Sequence, residues 1–257
     1  IYNDYITCNR KSCPCLVEIY LPKYKNNIEQ IKEKSETPED LLKTNFDAIT
    51  RAVDFDKERK YIMWAFGRKC NFSCSYCDDH SHSKLDSDLV GINAIEKVKK
   101  YADKIRDQRP ISWSFTGGEP TINKLFLDFV KELYNFGDTI TVATNGSASN
   151  EYYTELAKYA NINISVHFEF LKAEKLKRVT EAILQVKPEW FGLSFMAMPG
   201  KVNQCYSYLQ ILDTIPEFKN NVLCHFDILR KKNTNDYEFY SSEDIKMLKK
   251  LDKYVKG

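Results

Sequence analysis

Apolar residues along this chain switch between two spacings. Short runs with strand character are followed by stretches in which apolar side chains recur every three or four residues. The run at 61–66 ends in Gly67 and predicts a first strand. Ile92, Ile95, Val98 and Ile105 then mark one face of a helix reaching about Gln108. A second strand is predicted at 111–116, stopped by Gly117 and Gly118, with Leu125, Phe126, Phe129, Val130 and Leu133 predicting the helix behind it. The alternation continues through strands at 139–144, 162–168, 191–198 and 222–229. Between them run helical stripes through Tyr153 and Leu156, through Leu176, Val179 and Ile183, and through Val202, Cys205, Leu209 and Leu212. A last helix begins near Ser241 or Ser242 and carries Ile245, Leu248 and Leu251.

Six strands joined by crossovers of helical length predict a parallel sheet and an α/β fold class. Six such units curve into a partial (β/α)6 barrel, and loops after the C-terminal strand ends then converge on one mouth. Residues 58–257 are read as this barrel and residues 1–57 as a small N-terminal extension. The extension holds Cys8, Cys13 and Cys15, a strand-like run at 16–21, and a helix opened by Thr37 as N-cap with Pro38 behind it.

At 257 residues and 43% hydrophobic, the chain has enough apolar material for a substantial core. Its 38 basic and 36 acidic residues leave a net charge of +2, which gives no basic footprint for nucleic acid. No apolar run approaches the roughly 18–20 residues of a membrane-spanning helix. The start lacks the regions of a secretory signal. It begins with Ile1 rather than Met, which leaves open whether the native N-terminus is present. Eight cysteines are too sparse for a disulfide scaffold, and their clustering favours metal in a reducing cytoplasm.

Cys70, Cys74 and Cys77 place three thiols on one tight loop directly after the first strand. Three thiolates can hold a [4Fe–4S] cube by three of its irons, whereas a fully ligated cluster takes four cysteines. No fourth cysteine occurs between Cys77 and Cys205, so one iron would be open to a small molecule. Zinc is the alternative, with His80 or His82 as the fourth ligand. After the second strand, Gly117 and Gly118 would let the backbone approach a ligand closely. Glu119 and Pro120 read equally well as the opening of the following helix. Asn145-Gly146 is a turn signal after the third strand. On the fourth, Ser165 and His167 share a side by the two-residue period.

The Cys-x3-Cys-x2-Cys spacing, with Tyr76 before its last cysteine, resembles the signature of the radical S-adenosylmethionine (radical SAM) superfamily. Thr116-Gly117-Gly118-Glu119-Pro120 is similar to that family's GGEP element, and the likeness spans about residues 60–230. The resemblance implies a [4Fe–4S] cluster on Cys70, Cys74 and Cys77, with SAM chelating the open iron through its amino and carboxylate groups. It implies the backbone around Tyr76 at the adenine, and Gly117, Gly118, Glu119 and Pro120 at the methionine amino group. Asn145 would lie near the cofactor, with Ser165 and His167 at its ribose or carboxylate. Met196 and Met198 are read as core or adenine contacts, and His225 and Asp227 as residues that could face substrate.

The implied reaction is reductive cleavage of SAM to a 5′-deoxyadenosyl radical that abstracts hydrogen from an unidentified substrate. That substrate is a peptide, a sugar or another small metabolite, and the electron comes from a reductant such as flavodoxin or ferredoxin. An apolar, aromatic barrel interior is expected to enclose the site. Cys8, Cys13 and Cys15 hold an auxiliary cluster, zinc, or no metal. Cys205 reads as core, and Cys224 as a further ligand or a buried strand residue. The competing class is a non-catalytic zinc or iron–sulfur α/β protein serving as an interaction module.

Overall fold

The computed structural model describes residues 60–65, 69–77, 95–96, 99–100, 102–103, 110–229, 240–251 and 254. Tyr61–Gly257 forms one compact unit. The cysteines at 8, 13 and 15, the predicted elements at 16–21 and Thr37, and both His80 and His82 lie outside the described residues.

Six strands form one sheet: β1 (Lys60–Ala65), β2 (Ile111–Thr116), β3 (Thr139–Thr144), β4 (Asn161–Val166), β5 (Phe191–Ala197) and β6 (Leu223–Ile228). Their spatial order equals their sequence order, and the pairings from β2 to β6 are all parallel. That order has a geometric consequence. Right-handed crossovers that always step in the same direction place every connecting helix on one face. The other face becomes the inside of an open, partial barrel, as the alternation predicted.

The helical layer comprises α1 (Phe126–Asn135), α2 (Asn150–Leu156), α3 (Ala173–Val186), α4 (Val202–Leu212), the single turn α5 (Phe218–Asn221) and α6 (Ser242–Leu251). The described residues between 95 and 103 are also helical. α5 had no periodic signal, because one turn is too short to show a helical period. The strands at β4, β5 and β6 end one or two residues earlier than their apolar runs. Phe168, Met198 and Leu229 therefore sit beyond the ladder, where the backbone turns toward the next helix.

Side chains on the helix-facing side are large and apolar. In β2, Ile111, Trp113 and Phe115 are each at most 1% exposed. They pack on Phe126 and Phe129 of α1, with Trp113 stacked on Phe115 at 5.7 Å and Phe115 edge-on to Phe126 at 5.3 Å. Burying each such ring is worth about 1.5–3 kcal/mol, so this cluster anchors α1 to the sheet. Trp113 also carries a polar N–H, and a buried N–H requires a partner. Asp138, itself buried, accepts from Trp113 Nε1 at 2.9 Å and from the Ile111 backbone N–H at 2.9 Å.

The register extends the apolar row across the sheet through Val142, Ile162 and Phe191, then through Ile164, Leu193 and Cys224. Cys205 and Cys224 both lie in this core at 0% and 5% exposure, which makes Cys224 a buried strand residue.

The inner face differs from expectation. Its polar positions are Ser112 and Ser114 in β2, Thr139 and Thr141 in β3, Asn163 and Ser165 in β4, Ser194 in β5, and His225 and Asp227 in β6, with Ala143, Met196 and Leu223 interspersed. The β2 and β5 aromatic residues expected inside lie on the helix-facing side, where the helices bury them. Among the described residues, no helix is long and apolar enough to cross a membrane.

Candidate radical-cofactor site

The cysteine loop at 70–77 sits across the C-terminal ends of the strands, held from three sides. Toward β2, the Glu119 backbone N–H donates to the Lys69 carbonyl at 2.9 Å. Toward β3, Asn145 Nδ2 donates to Asn71 Oδ1 at 2.8 Å and approaches Cys70 Sγ at 3.6 Å. Asn71 Nδ2 in turn donates to Ser147 Oγ at 2.9 Å. Toward β4, the turn at 167–170 grips the loop. Tyr76 and His167 Nδ1 share a hydrogen bond of 2.6 Å with their rings stacked. Phe72 stacks on Phe170 at 5.0 Å, and the Ser75 N–H donates to Glu169 Oε2 at 2.7 Å.

Local geometry explains the turns that make this possible. Gly117 has φ 119° and Gly146 has φ 75°, conformations in which a side chain is strained. At Gly146 a Cβ would also meet Ile164 Cγ2 and Leu171 Cδ2, each at 3.0 Å. The Asn145-Gly146 turn therefore folds against β4 with no room for anything larger.

Glu119 faces Thr121, Thr144 and Asn145. Its side chain is only 2% exposed and turns inward. Oε1 accepts from the Thr121 N–H at 3.0 Å, the Thr121 hydroxyl at 2.7 Å and the Thr144 hydroxyl at 2.8 Å. Oε2 accepts from the Asn145 N–H at 2.5 Å. Burial pushes this carboxyl above its usual range while the four hydrogen bonds pull it back. The carboxylate thus ties the end of β2 to the end of β3. Pro120 opens a short 3-10 turn, Pro120–Ile122, with Glu119 as its N-cap, while α1 begins only at Phe126.

The three thiols lie close enough to influence one another's charge. Burial pushes Cys74 up to about 12, with the negative charge of Cys77 adding to the rise. Burial likewise raises Cys70, opposed by a hydrogen bond from the Phe72 N–H at 3.4 Å. Neighbouring thiolates repel one another, so a group bound by all three would have to supply positive charge. Among the described residues no three His, Cys, Asp or Glu side chains converge on a point one metal ion could occupy. A four-iron cube offers each sulfur its own iron, and an all-thiolate set is its usual ligand chemistry. The donor set fits such a cluster.

His167, in contact with Tyr76, is lowered to about 4 by burial and is neutral near pH 7. Ser165 lies one pleat deeper on the inner face, opposite Ser194. Gly117, Gly118 and Pro120 border the cysteine loop through the Glu119–Lys69 link. The structure thus gathers Glu119 and Asn145 around Cys70 and sets Tyr76 beside Cys74, with His167 against Tyr76 and Ser165 below. Met196 pairs with Asp227 on the inner face, where His225 Nε2 and Asp227 Oδ1 lie 3.1 Å apart. Phe72, Glu169 and Phe170 were not anticipated. Their only sequence signal was position, inside the cysteine loop or in the turn after a predicted strand. A cavity of about 510 Å³ opens elsewhere, between α2 and α3, and contains none of these residues.

A sequential parallel α/β sheet with a three-cysteine loop over its C-terminal edge defines the class: a partial-barrel α/β fold whose donor set suits an iron–sulfur cluster. Residues 64–185 match the family model described as the radical SAM superfamily. The chain is 28% identical over 123 residues to a probable GTP 3′,8-cyclase of Thermococcus kodakarensis, covering 46% of this chain and 39% of that protein. It is 26% identical over 137 residues to a GTP 3′,8-cyclase of Mesorhizobium japonicum, covering 49% and 39%. The chain spans about two fifths of the length of these curated relatives. In fold it is similar to the crystal structure of Streptococcus suis SuiB bound to S-adenosylmethionine. The TM-score is 0.56 at 12% identity, over 93% of this chain and 59% of that one. The family model and these relatives support membership of the radical SAM superfamily, whose members use a [4Fe–4S] cluster and SAM.

Proposed function

We propose that this chain is the catalytic barrel of a radical SAM enzyme, with Cys70, Cys74 and Cys77 as the cluster ligands. Those three thiolates would hold the cluster, which, once reduced by an external one-electron donor, would supply reductive cleavage of a carbon–sulfur bond of SAM and so hydrogen abstraction from substrate. The carrying observation is the docking of the cysteine loop onto three successive strand ends through Lys69, Asn145 and His167.

Each residue contributes by position. The Phe72 N–H and the Asn145 amide point donors at Cys70 Sγ, and hydrogen bonds to ligand sulfur tune an iron–sulfur centre. Glu119 fixes the Gly117-Gly118 turn and the Asn145 backbone in one arrangement, leaving the exposed backbone at Gly117 to meet the methionine end of SAM. Tyr76 and His167, stacked and hydrogen-bonded, hold the wall expected beside adenine and ribose. Neutral His167 keeps that wall free of a cation that would repel the sulfonium. Ser165, one step below, is placed to meet the ribose or the substrate.

A flavodoxin- or ferredoxin-type reductant in a reducing cytoplasm completes this reading. An auxiliary cluster on Cys8, Cys13 and Cys15 is a further element of it, with zinc or no metal as the alternatives. GTP is the substrate the two relatives' names suggest, and a peptide, sugar or other small metabolite is equally compatible with the cofactor site.

Anaerobic reconstitution followed by counting of iron, sulfide and 5′-deoxyadenosine tests the proposal. About four irons per barrel site and SAM-dependent 5′-deoxyadenosine are expected. Cys74→Ala is expected to lose both. Cleavage retained by that variant refutes the ligand assignment. A loaded cluster that never cleaves SAM favours the non-catalytic interaction module.

A further inference from the structure

In most parallel sheets both faces are covered and both read as apolar. Here only the helix-facing side does. On the other, Ser114 registers with Thr141, and Ser165 registers with Ser194 and then His225. Asn163 lies over Gly192, where a Cβ would stand 2.7 Å from Asn163 Oδ1. The missing side chain at Gly192 is what lets the Asn163 amide lie along the sheet and donate from Nδ2 to Ser194 Oγ at 3.1 Å. At the far edge, His225 and Asp227 lie 3.1 Å apart with 66% and 41% of their side chains exposed.

The charge on this face is as informative as its polarity. From β2 to β6 its described positions carry no lysine or arginine, and the one formal charge of fixed sign is the Asp227 carboxylate. A triphosphate placed here would meet hydroxyls, an amide and a like-charged carboxylate. Among the described positions of this face it would find no lysine or arginine to replace its hydration, and the histidine there, His225, is paired with Asp227. Hydroxyl and amide groups of a neutral ligand find both donors and acceptors at Ser114, Thr141, Asn163 and Ser194.

We propose that the substrate of this chain presents an uncharged, hydroxyl- or amide-bearing group to the inner face of β2–β6, centred on Asn163 and Ser194, and carries no phosphate there. The proposal rests on the radical SAM reading, since that reading places the reacting carbon at the mouth above this face. It separates the chain from the nucleoside triphosphate chemistry named for its sequence relatives.

Three matched pairs of probes test it on the reconstituted full chain with SAM present: guanosine and GTP, N-acetylglucosamine and its 1-phosphate, and N-acetylserinamide and its phosphate ester. Binding is read by isothermal titration and saturation-transfer NMR. In at least one pair the uncharged member is expected to bind about tenfold or more tightly than its phosphate, because the phosphate loses water without gaining a cation. Ser194→Thr and Ser194→Val have nearly the same shape and differ in one hydroxyl. The first is expected to keep that binding and the second to weaken it about tenfold, the effect of one hydrogen bond left unmade. The proposal is overturned if the phosphorylated members bind more tightly, if both Ser194 variants behave alike, or if no uncharged member binds. SAM cleavage measured in the same samples keeps the two readings apart. A loaded cluster without cleavage would remove the enzyme assignment and leave the binding comparison intact.

Discussion

Glu119→Gln is the most revealing single change, because it keeps the shape of the side chain and alters only what its ends can accept. The carboxylate receives two backbone donors that cannot rotate away, the Thr121 N–H on Oε1 and the Asn145 N–H on Oε2. A glutamine has one oxygen. Whichever way its amide is turned, one of those N–H groups faces another N–H. The two threonine hydroxyls on Oε1 can reorient, so the minimum loss is one backbone hydrogen bond and one buried donor left unsatisfied. Such a loss costs about 1–3 kcal/mol. Removing a carboxyl that burial already disfavours offsets part of it. A net destabilisation of about 2 kcal/mol lowers the melting temperature of a body this size by roughly 4–8 °C. Calorimetry on the wild type and the variant reads the shift, and titration with SAM reads cofactor affinity. The expected result is a lower Tm with SAM binding weakened only as far as the loop loosens. An unchanged Tm with a large loss of SAM affinity would show instead that the carboxylate meets the cofactor, and the inward reading of Glu119 would fail.

Phe170→Ala removes the ring stacked on Phe72 at 5.0 Å from a position 42% exposed, so the fold should survive. The aromatic contact is worth about 0.5–1.5 kcal/mol, which makes opening of the cysteine loop roughly 2- to 12-fold easier. Bleaching of cluster absorbance in air should quicken by a similar factor, and an unchanged rate argues against the grip. His167 sets a pH window. Its folded value of about 4 lies below the ordinary 6.5, so the unfolded chain binds the extra proton first and stability falls as pH drops between those values. The full effect is at most roughly 3 kcal/mol. Urea unfolding of wild type and His167→Gln at several pH values should show the slope only in the wild type, and parallel curves would exclude this role.

The sequence by itself determined the local pieces. Strand and helix periods are properties of neighbouring residues, so the βα alternation from Tyr61 to Leu251 was legible. So was the position of each chemical group relative to its strand: Cys70, Cys74 and Cys77 after β1, Gly117–Pro120 after β2, and Asn145 after β3. Only the tertiary structure decided which groups meet. Tyr76 with His167 and Ser75 with Glu169 join residues more than 90 positions apart. The strand order that brings them together is settled by packing across the whole sheet. The same holds for the two faces. Apolar alternation marked which strand residues would be buried, but a two-residue period cannot say what the opposite face is for. That the aromatics lie under the helices while serine, threonine and asparagine line the interior follows from all helices landing on one side. Glu119 shows the limit most sharply. An acid beside two glycines reads as a ligand, and nothing local shows that Thr144 and Asn145, 25 and 26 residues away, donate to it.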